Sequence, residues 1–183
     1  MNTEPLAPVP FWYLRHGETD WNALGRSQGS IDIPLNANGI AQARAAAEQL
    51  RGKGINTIVA SPLSRARVTA EIVAETLGLP LLLDPDLKEV NWGAQEGQPM
   101  ADWFTDWVTG GAAPAGGETF AELRHRAMAG LNRSLVHPSA VLIVAHGALF
   151  RAIRAGMGIE ANRRTQNAVP MWCAPGEAGW TID

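Results

Sequence analysis

Two short apolar runs in this chain end in the same dipeptide, and that repetition constrains the fold more than any other feature. Phe11-Trp12-Tyr13-Leu14 runs into Arg15-His16-Gly17, and Ala140-Val141-Leu142-Ile143-Val144-Ala145 runs into His146-Gly147. Unbroken apolar runs of this kind read as short strands buried in a sheet. A third, Thr57-Ile58-Val59-Ala60, stops at Ser61-Pro62-Leu63-Ser64-Arg65-Ala66-Arg67. In open α/β sheets, chemistry sits just beyond the carboxyl ends of the strands. The three ends should therefore lie along one sheet edge and bring two histidines and an arginine to one crevice.

The segments between these runs supply helices. Asn36 is a candidate N-cap, followed at helical spacing by Ile40, Ala43, Ala47 and Leu50, with Gly52 and Gly54 as the stop. Val68, Ile72, Val73 and Leu77 mark a second helix, closed by Gly78 and Pro80. Leu81-Leu82-Leu83 reads as a further strand, and residues 100–108 as a short helix carrying Trp103, Phe104 and Trp107. Residues 110–117 form an Ala/Pro/Gly-rich connector. Phe120, Leu123, Ala127, Leu131 and Leu135 line one face of a longer helix, with Glu122, Arg126 and Arg133 opposite. A helix follows His146, and residues 169–174 and 180–183 can add edge strands. Such alternation of strands and helices predicts a three-layer α/β/α sandwich around a mostly parallel sheet.

The chain is 183 residues long, enough for one domain with a real core. A net charge of −3 provides no basic field for nucleic acid or an anionic membrane, and no apolar run is long enough to span one. Anion binding would then depend on a few placed arginines. Residues 1–9, with acid and prolines, read as a loose arm rather than a secretory signal. Cys173 is the only cysteine, so no intrachain disulfide forms, in keeping with a cytoplasmic setting.

At the first strand end, Arg15 offers a planar fork of donors suited to phosphate. Gly17, lacking a Cβ, would let a ligand approach the backbone. Arg65 and Arg67 stand at a strand-to-helix junction where exposed N–H groups also favour an anion. Two residues apart, they point in different directions, so one faces the crevice while the other is solvated or pairs with a carboxylate. Gln28 and Arg26 lie on a loop that could reach the same crevice, Arg26 being read as solvated. Glu89 and Glu96 are candidate acids in an acidic, glycine-rich loop. His125 and His137 are expected to be solvent-side or capping residues. Metal ligation has weak support, with four histidines, none in an H-x-x-x-H spacing, and one cysteine. A serine hydrolase has less, since no G-x-S-x-G elbow occurs.

The motif L-R-H-G-E-T-D-W-N at 14–22 resembles the hallmark of the histidine phosphatase superfamily, the phosphoglycerate-mutase-like proteins. The resemblance continues through G-R-S-Q-G at 25–29, D-I-P-L at 32–35 and S-P-L-S-R-A-R-V-T-A at 61–70. It runs on through L-K-E at 87–89, G-G-E-T at 116–119 and V-A-H-G at 144–147. These blocks cover nearly the whole chain in the family's order.

The resemblance implies the phosphoglycerate-mutase-like fold, with His16 as the nucleophile that becomes phosphohistidine and Glu89 as proton donor. Arg15, Arg65 and His146 are similar to the family's phosphate-pocket residues, and Asn22 and Gln28 to its polar phosphate contacts. It implies no cofactor and no metal. The expected activity is a metal-independent phosphomonoesterase of the histidine acid phosphatase type acting on a small-molecule phosphomonoester. Two alternatives stand beside it: a cofactor-dependent phosphoglycerate mutase and a non-catalytic protein that binds a phosphorylated ligand. The family's mutases are generally longer, with an insertion after the Glu89 region, where this chain has only a Trp-rich segment. Trp92, Trp103, Phe104 and Trp107 there either form an apolar lid or pack a helix onto the sheet, and packing is the preferred reading. Trp21 is read as structural. An edge strand or aromatic surface could make a homodimer without leaving a mark in the sequence.

Overall fold

The computed structural model describes residues 4–138 and 140–183. Its centre is a six-stranded sheet in the order β3-β2-β4-β1-β5-β6, made of β1 (Phe11–Arg15), β2 (Thr57–Ala60), β3 (Leu81–Leu83), β4 (Val141–Ala145), β5 (Met171–Gly176) and β6 (Gly179–Ile182). The first four are mutually parallel, and β1 and β4 run in register from Phe11 opposite Val141 to Arg15 opposite Ala145. The tail supplies a hairpin, in which β5 lies antiparallel to β1 and β6 antiparallel to β5.

Alternation within the central strands explains why their sequences are apolar throughout. Phe11, Tyr13, Val141, Ile143 and Ala145 face one core, and Leu14, Leu142 and Val144 face the other. On the second face lie α2 (Ala37–Leu50) and α3 (Ser64–Leu77), through Ala46, Ala47, Leu50, Ala70 and Val73. The first face is covered by α4 (Trp103–Val108), α5 (Phe120–Ser134) and α6 (Gly147–Gly156). The three-layer α/β/α sandwich is therefore as expected, and each layer buries one stripe of each helix.

Local signals set the helix ends. Asn36 accepts from the backbone of Gly39 at 2.8 Å and starts α2. Gly78 takes the left-handed conformation after α3. Thr119 and Glu122 form a reciprocal capping box that opens α5.

Two sequence expectations are corrected, and one short element is added. A one-turn helix, α1 (Asp20–Ala23), stands inside the stretch that follows β1, nucleated by a capping box between Thr19 and Asn22. The short Trp-rich helix begins at Trp103, not at residue 100. The described part of the opening segment is no free arm. Ala7 donates its N–H to Asn132 on α5, Asn132 donates back to the carbonyl of Pro5, and Leu6 and Val9 pack on the core. The rest of the expected arm, residues 1–3, lies outside the described residues. Among the described residues, no helix is long and apolar enough to cross a membrane.

Candidate active site

Adjacent parallel strands β1 and β4 end level with each other, so His16 and His146 leave the sheet side by side. Their ring centroids are 5.3 Å apart. β2, next to β4, ends at Ser61 and leads into α3, whose second residue is Arg65. The three strand ends thus converge: Arg15, His16, Asn22, Gln28, Arg65 and Glu89, among others, line a cleft of about 380 Å3, whereas His146, fully buried beside His16, is not among its lining residues. That volume suits a small molecule.

His16 is only 2% exposed. Its Nδ1 lies 2.7 Å from the carbonyl oxygen of Gly17, which can only accept, so Nδ1 carries the proton and Nε2 keeps its lone pair. Burial first, then the charges of Arg15 and Arg65, hold the imidazole well below its ordinary 6.5, so the ring is neutral. The backbone around it is tied on two sides. His16 donates its N–H to Ala145, and Asn167 donates its side-chain amide to the His16 carbonyl at 2.9 Å.

His146 is fully buried, and burial with Arg65 and His16 holds it neutral too. Its Nε2 lies 2.7 Å from Ser61 Oγ. That oxygen also accepts the N–H of Leu63, and we assign its own proton to Nε2. The proton of His146 then sits on Nδ1, which is buried and has no partner among the described residues. Tyr13 grips the His146 backbone on both sides, donating to its carbonyl at 2.8 Å and accepting its N–H at 3.1 Å, and stacks on Phe150.

The two arginines are braced by carbonyls rather than by carboxylates. Arg15 donates through Nη1 to Thr165 at 2.7 Å. Arg65, with no exposure at all, donates to Ile31 at 2.9 Å and Gly29 at 2.7 Å. Burial lowers the Arg65 guanidinium and brings Arg15 down to about 10, yet both stay charged at neutral pH. The Nε of each is buried without a partner among the described residues, as is His146 Nδ1. Three buried donors with nothing to bond, two of them on cations, are expensive unless an anion arrives. Arg67 pairs instead with exposed Glu71 at 2.7 Å, so one of the two junction arginines faces the cleft and the other does not.

Asn22 and Gln28 turn their oxygens inward. Asn22 Oδ1 accepts from Thr19 and Asn167, and Gln28 Oε1 from the Thr19 hydroxyl, which leaves their amide N–H groups for the cleft. Glu89 sits at the start of α6. Its Oε2 accepts the N–H of Ala148 at 3.0 Å and its Oε1 that of Leu149 at 2.9 Å. Glu96 has a different task, accepting Ser30 and Trp92 and pinning the loop. Arg26, expected to be solvated, is an exposed side chain that borders the cleft. His125 and His137 lie outside it.

The aromatic residues pack, as the preferred reading expects. Trp92, Trp103, Phe104, Trp107 and Phe120 form a continuous edge-to-face cluster, and buried Trp107 donates to the Glu118 carbonyl. Trp92 and Phe104 also line one wall of the cleft, whereas Trp103 does not. Gly17 is a correction. Its bare Cα does not admit a ligand; it admits α2, because a Cβ there would lie 2.3 Å from the Gly39 carbonyl oxygen.

Several residues of the site were not singled out from the sequence: Ser61, Thr165, Asn167 and Arg126. Arg126, expected on the outer face of α5, donates to the carbonyls of Asp86, Lys88 and Glu89 and pairs with Glu118 at 2.6 Å. It fixes the segment that carries Glu89. Among the described residues, no group of three or more histidine, cysteine or acidic side chains is placed to hold a metal ion.

The fold and the paired strand-end histidines define a phosphoglycerate-mutase-like α/β protein. The family model of the histidine phosphatase superfamily (branch 1) matches residues 11–174, and the chain belongs to that family. It is 44% identical over 142 residues to the uncharacterized phosphatase PhoE of Bacillus subtilis, covering 76% of this chain and 72% of that one. It is 38% identical over 167 residues to the probable phosphoglycerate mutase GpmB of Yersinia pestis, covering 84% and 78%. Among solved structures, a mycobacterial glucosyl-3-phosphoglycerate phosphatase in complex with VO3 superposes with a TM-score of 0.82 at 31% identity, covering 96% of this chain and 97% of that one.

Proposed function

We propose that the protein is a phosphomonoesterase that works through a phosphohistidine on His16. One observation carries this reading. A neutral imidazole whose Nε2 lone pair is free stands beside three buried, unpartnered donors, Arg15 Nε, Arg65 Nε and His146 Nδ1. A phosphoryl group in transfer spreads negative charge over its oxygens, and fixed donors stabilise it without reorganising.

In the first half-reaction, His16 Nε2 attacks phosphorus and the P–O bond to the leaving group breaks. The Glu89 carboxyl gives its proton to the departing alkoxide. In the second, water attacks phosphorus, Glu89 takes its proton, and the P–N bond breaks to release phosphate and restore His16. Asn22 and Gln28 donate to the phosphoryl oxygens. Two displacements replace one harder one.

The mutase reading differs only in the fate of the phosphohistidine, which would pass its phosphoryl group to a bound phosphoglycerate. It gains support from the relative named as a probable mutase. The phosphatase reading is favoured by the short segment after Glu89, where α4 has six residues.

The test is to quench the protein during turnover of a 32P-labelled monoester. The expected result is an acid-labile, base-stable label on His16, absent from His16→Ala. Native turnover by His16→Ala, with no label in the native chain, would overturn the proposal. Phosphate release from 3-phosphoglycerate without any bisphosphate separates hydrolysis from mutase exchange.

A further inference from the structure

The cleft holds more positive charge than a phosphoryl group can use. Besides Arg15 and Arg65, it is lined by Arg151 and Arg164 and bordered by exposed Arg26, while among the described residues Glu89 is the only carboxylate along its walls. In a chain with a net charge of −3, this is a local concentration. Four arginines elsewhere in the fold, Arg51, Arg67, Arg126 and Arg133, each form an ion pair with a carboxylate. Among the described residues, Arg151 and Arg164 form none, and Arg151 Nε is buried without any partner.

Both side chains are placed by the fold. Arg151 is four residues after Gly147 on α6 and so shares the helix face that borders the cleft. Its guanidinium carbon lies 4.8 Å over the Phe104 ring, which holds the planar fork in one orientation. Arg164 directly precedes Thr165, whose carbonyl braces Arg15. The charges of Arg15, Arg151 and Arg164 oppose one another, and only the charge of Glu89 relieves all three of the cleft's more buried guanidinia, Arg15, Arg65 and Arg151. Glu89 is already bonded to the N-terminus of α6.

We propose that Arg151 and Arg164 form a second oxyanion subsite, so that the substrate is a small phosphomonoester bearing another anionic group, a carboxylate or a second phosphate, on its leaving-group side. This rests on the phosphatase reading for the identity of the first site. The transferable phosphate takes Arg15, Arg65 and His146. The second anion takes the pair at the mouth, and its carbon skeleton lies along Trp92 and Phe104. Phosphate esters with a neutral leaving group leave that pair unanswered.

The test compares three esters of similar size: glycerol 3-phosphate, 3-phosphoglycerate and propane-1,3-diyl bisphosphate. The native protein should favour the two with a second anion in kcat/KM by about tenfold or more, the effect of one well-placed charge-assisted pair. The larger of the two preferences tells carboxylate from phosphate. Arg164→Gln and Arg151→Gln should each shrink the ratio of anionic to neutral ester, Arg164→Lys should restore part of it, and added salt should erode it. Arg164 is exposed, so its variant keeps the core intact. A native ratio near one, or the same ratio in Arg164→Gln, overturns the subsite and leaves the phosphatase reading standing. If no ester is turned over, the phosphatase reading fails instead. Calorimetric titration of the native protein with the same three esters then decides the subsite, and equal affinities overturn it.

Discussion

The Nε2 of His146 and the hydroxyl of Ser61 lie 2.7 Å apart, across 85 residues of sequence. The contact orients the His146 ring and sets the tautomer in which the buried, unpartnered Nδ1 carries the proton. Removing the hydroxyl lets the proton settle on either nitrogen and turns an oriented donor into a lone pair part of the time. Ser61→Ala should therefore lower kcat by about ten- to a hundredfold, the loss of one hydrogen bond to a charged group. Ser61→Thr keeps the hydroxyl and should recover most of it. Equal rates for the alanine variant and the native chain would remove Ser61 from the mechanism.

Glu89 and Arg126 make a second pair with separable roles. Glu89 would supply a proton to the leaving group, whereas Arg126 holds the Glu89 carbonyl and its neighbours from α5 at 3.0 Å or less. General acid catalysis matters most for a poor leaving group. Glu89→Gln should cost about 10²–10⁴ in kcat on an alkyl phosphate, the usual worth of a positioned acid, and far less on p-nitrophenyl phosphate. Arg126→Met should show the same dependence on leaving group in weaker form. If the Arg126 variant loses both substrates equally, its effect is general unfolding rather than placement of the acid.

The sheet was legible because its central strands are buried on both faces and so write their positions as unbroken apolar runs. The convergence of His16, His146 and Arg65 followed from where those runs stop. Arg15, Gln28 and Glu89 stand out by type and position alone, but their roles, and Asn22 altogether, needed the family resemblance, since each is an ordinary polar residue in its own surroundings. What stayed hidden acts through backbone atoms far away in sequence. Thr165 braces Arg15 with a carbonyl and Asn167 bonds the His16 carbonyl, across 150 and 151 residues. No periodicity or local motif records such a contact. Arg126 was assigned to the solvent face by helical spacing, but the segment around Glu89 folds over that face and receives it.

The two neutral histidines predict how stability depends on pH. Burial depresses both His16 and His146 below the ordinary 6.5, so the unfolded chain binds protons in acid that the native chain refuses. Their contribution is complete above about pH 6.5 and is lost as pH falls below it. The slope should approach about 1.4 kcal/mol per pH unit for each histidine between pH 6.5 and 5, before carboxylates begin to titrate. Urea unfolding at pH 7.5, 6.5 and 5.5 measures this. His16→Asn should roughly halve the slope. Constant stability from pH 7.5 to 5.5 would show that the rings are not held neutral.

Gly17 and Gly39 let the segment that carries His16 pack closely against α2. A Cβ on Gly17 would lie 2.3 Å from the Gly39 carbonyl oxygen, and one on Gly39 would lie 2.1 Å from that of Glu18. Both obstacles are backbone atoms, which cannot rotate away, so α2 or the end of β1 must shift. Gly17→Ala should cost about 1–3 kcal/mol, as overpacking does, and lower Tm by several degrees. The damage should reach the chemistry as well, because the displaced carbonyl of Gly17 is the group that fixes the His16 tautomer. Tm and turnover of Gly17→Ala and Gly39→Ala, measured side by side, test the coupling. Both variants should lose stability, and Gly17→Ala should lose more activity than Gly39→Ala at equal folded fraction. A Gly17→Ala protein with native Tm would mean that the two backbones do not meet as described.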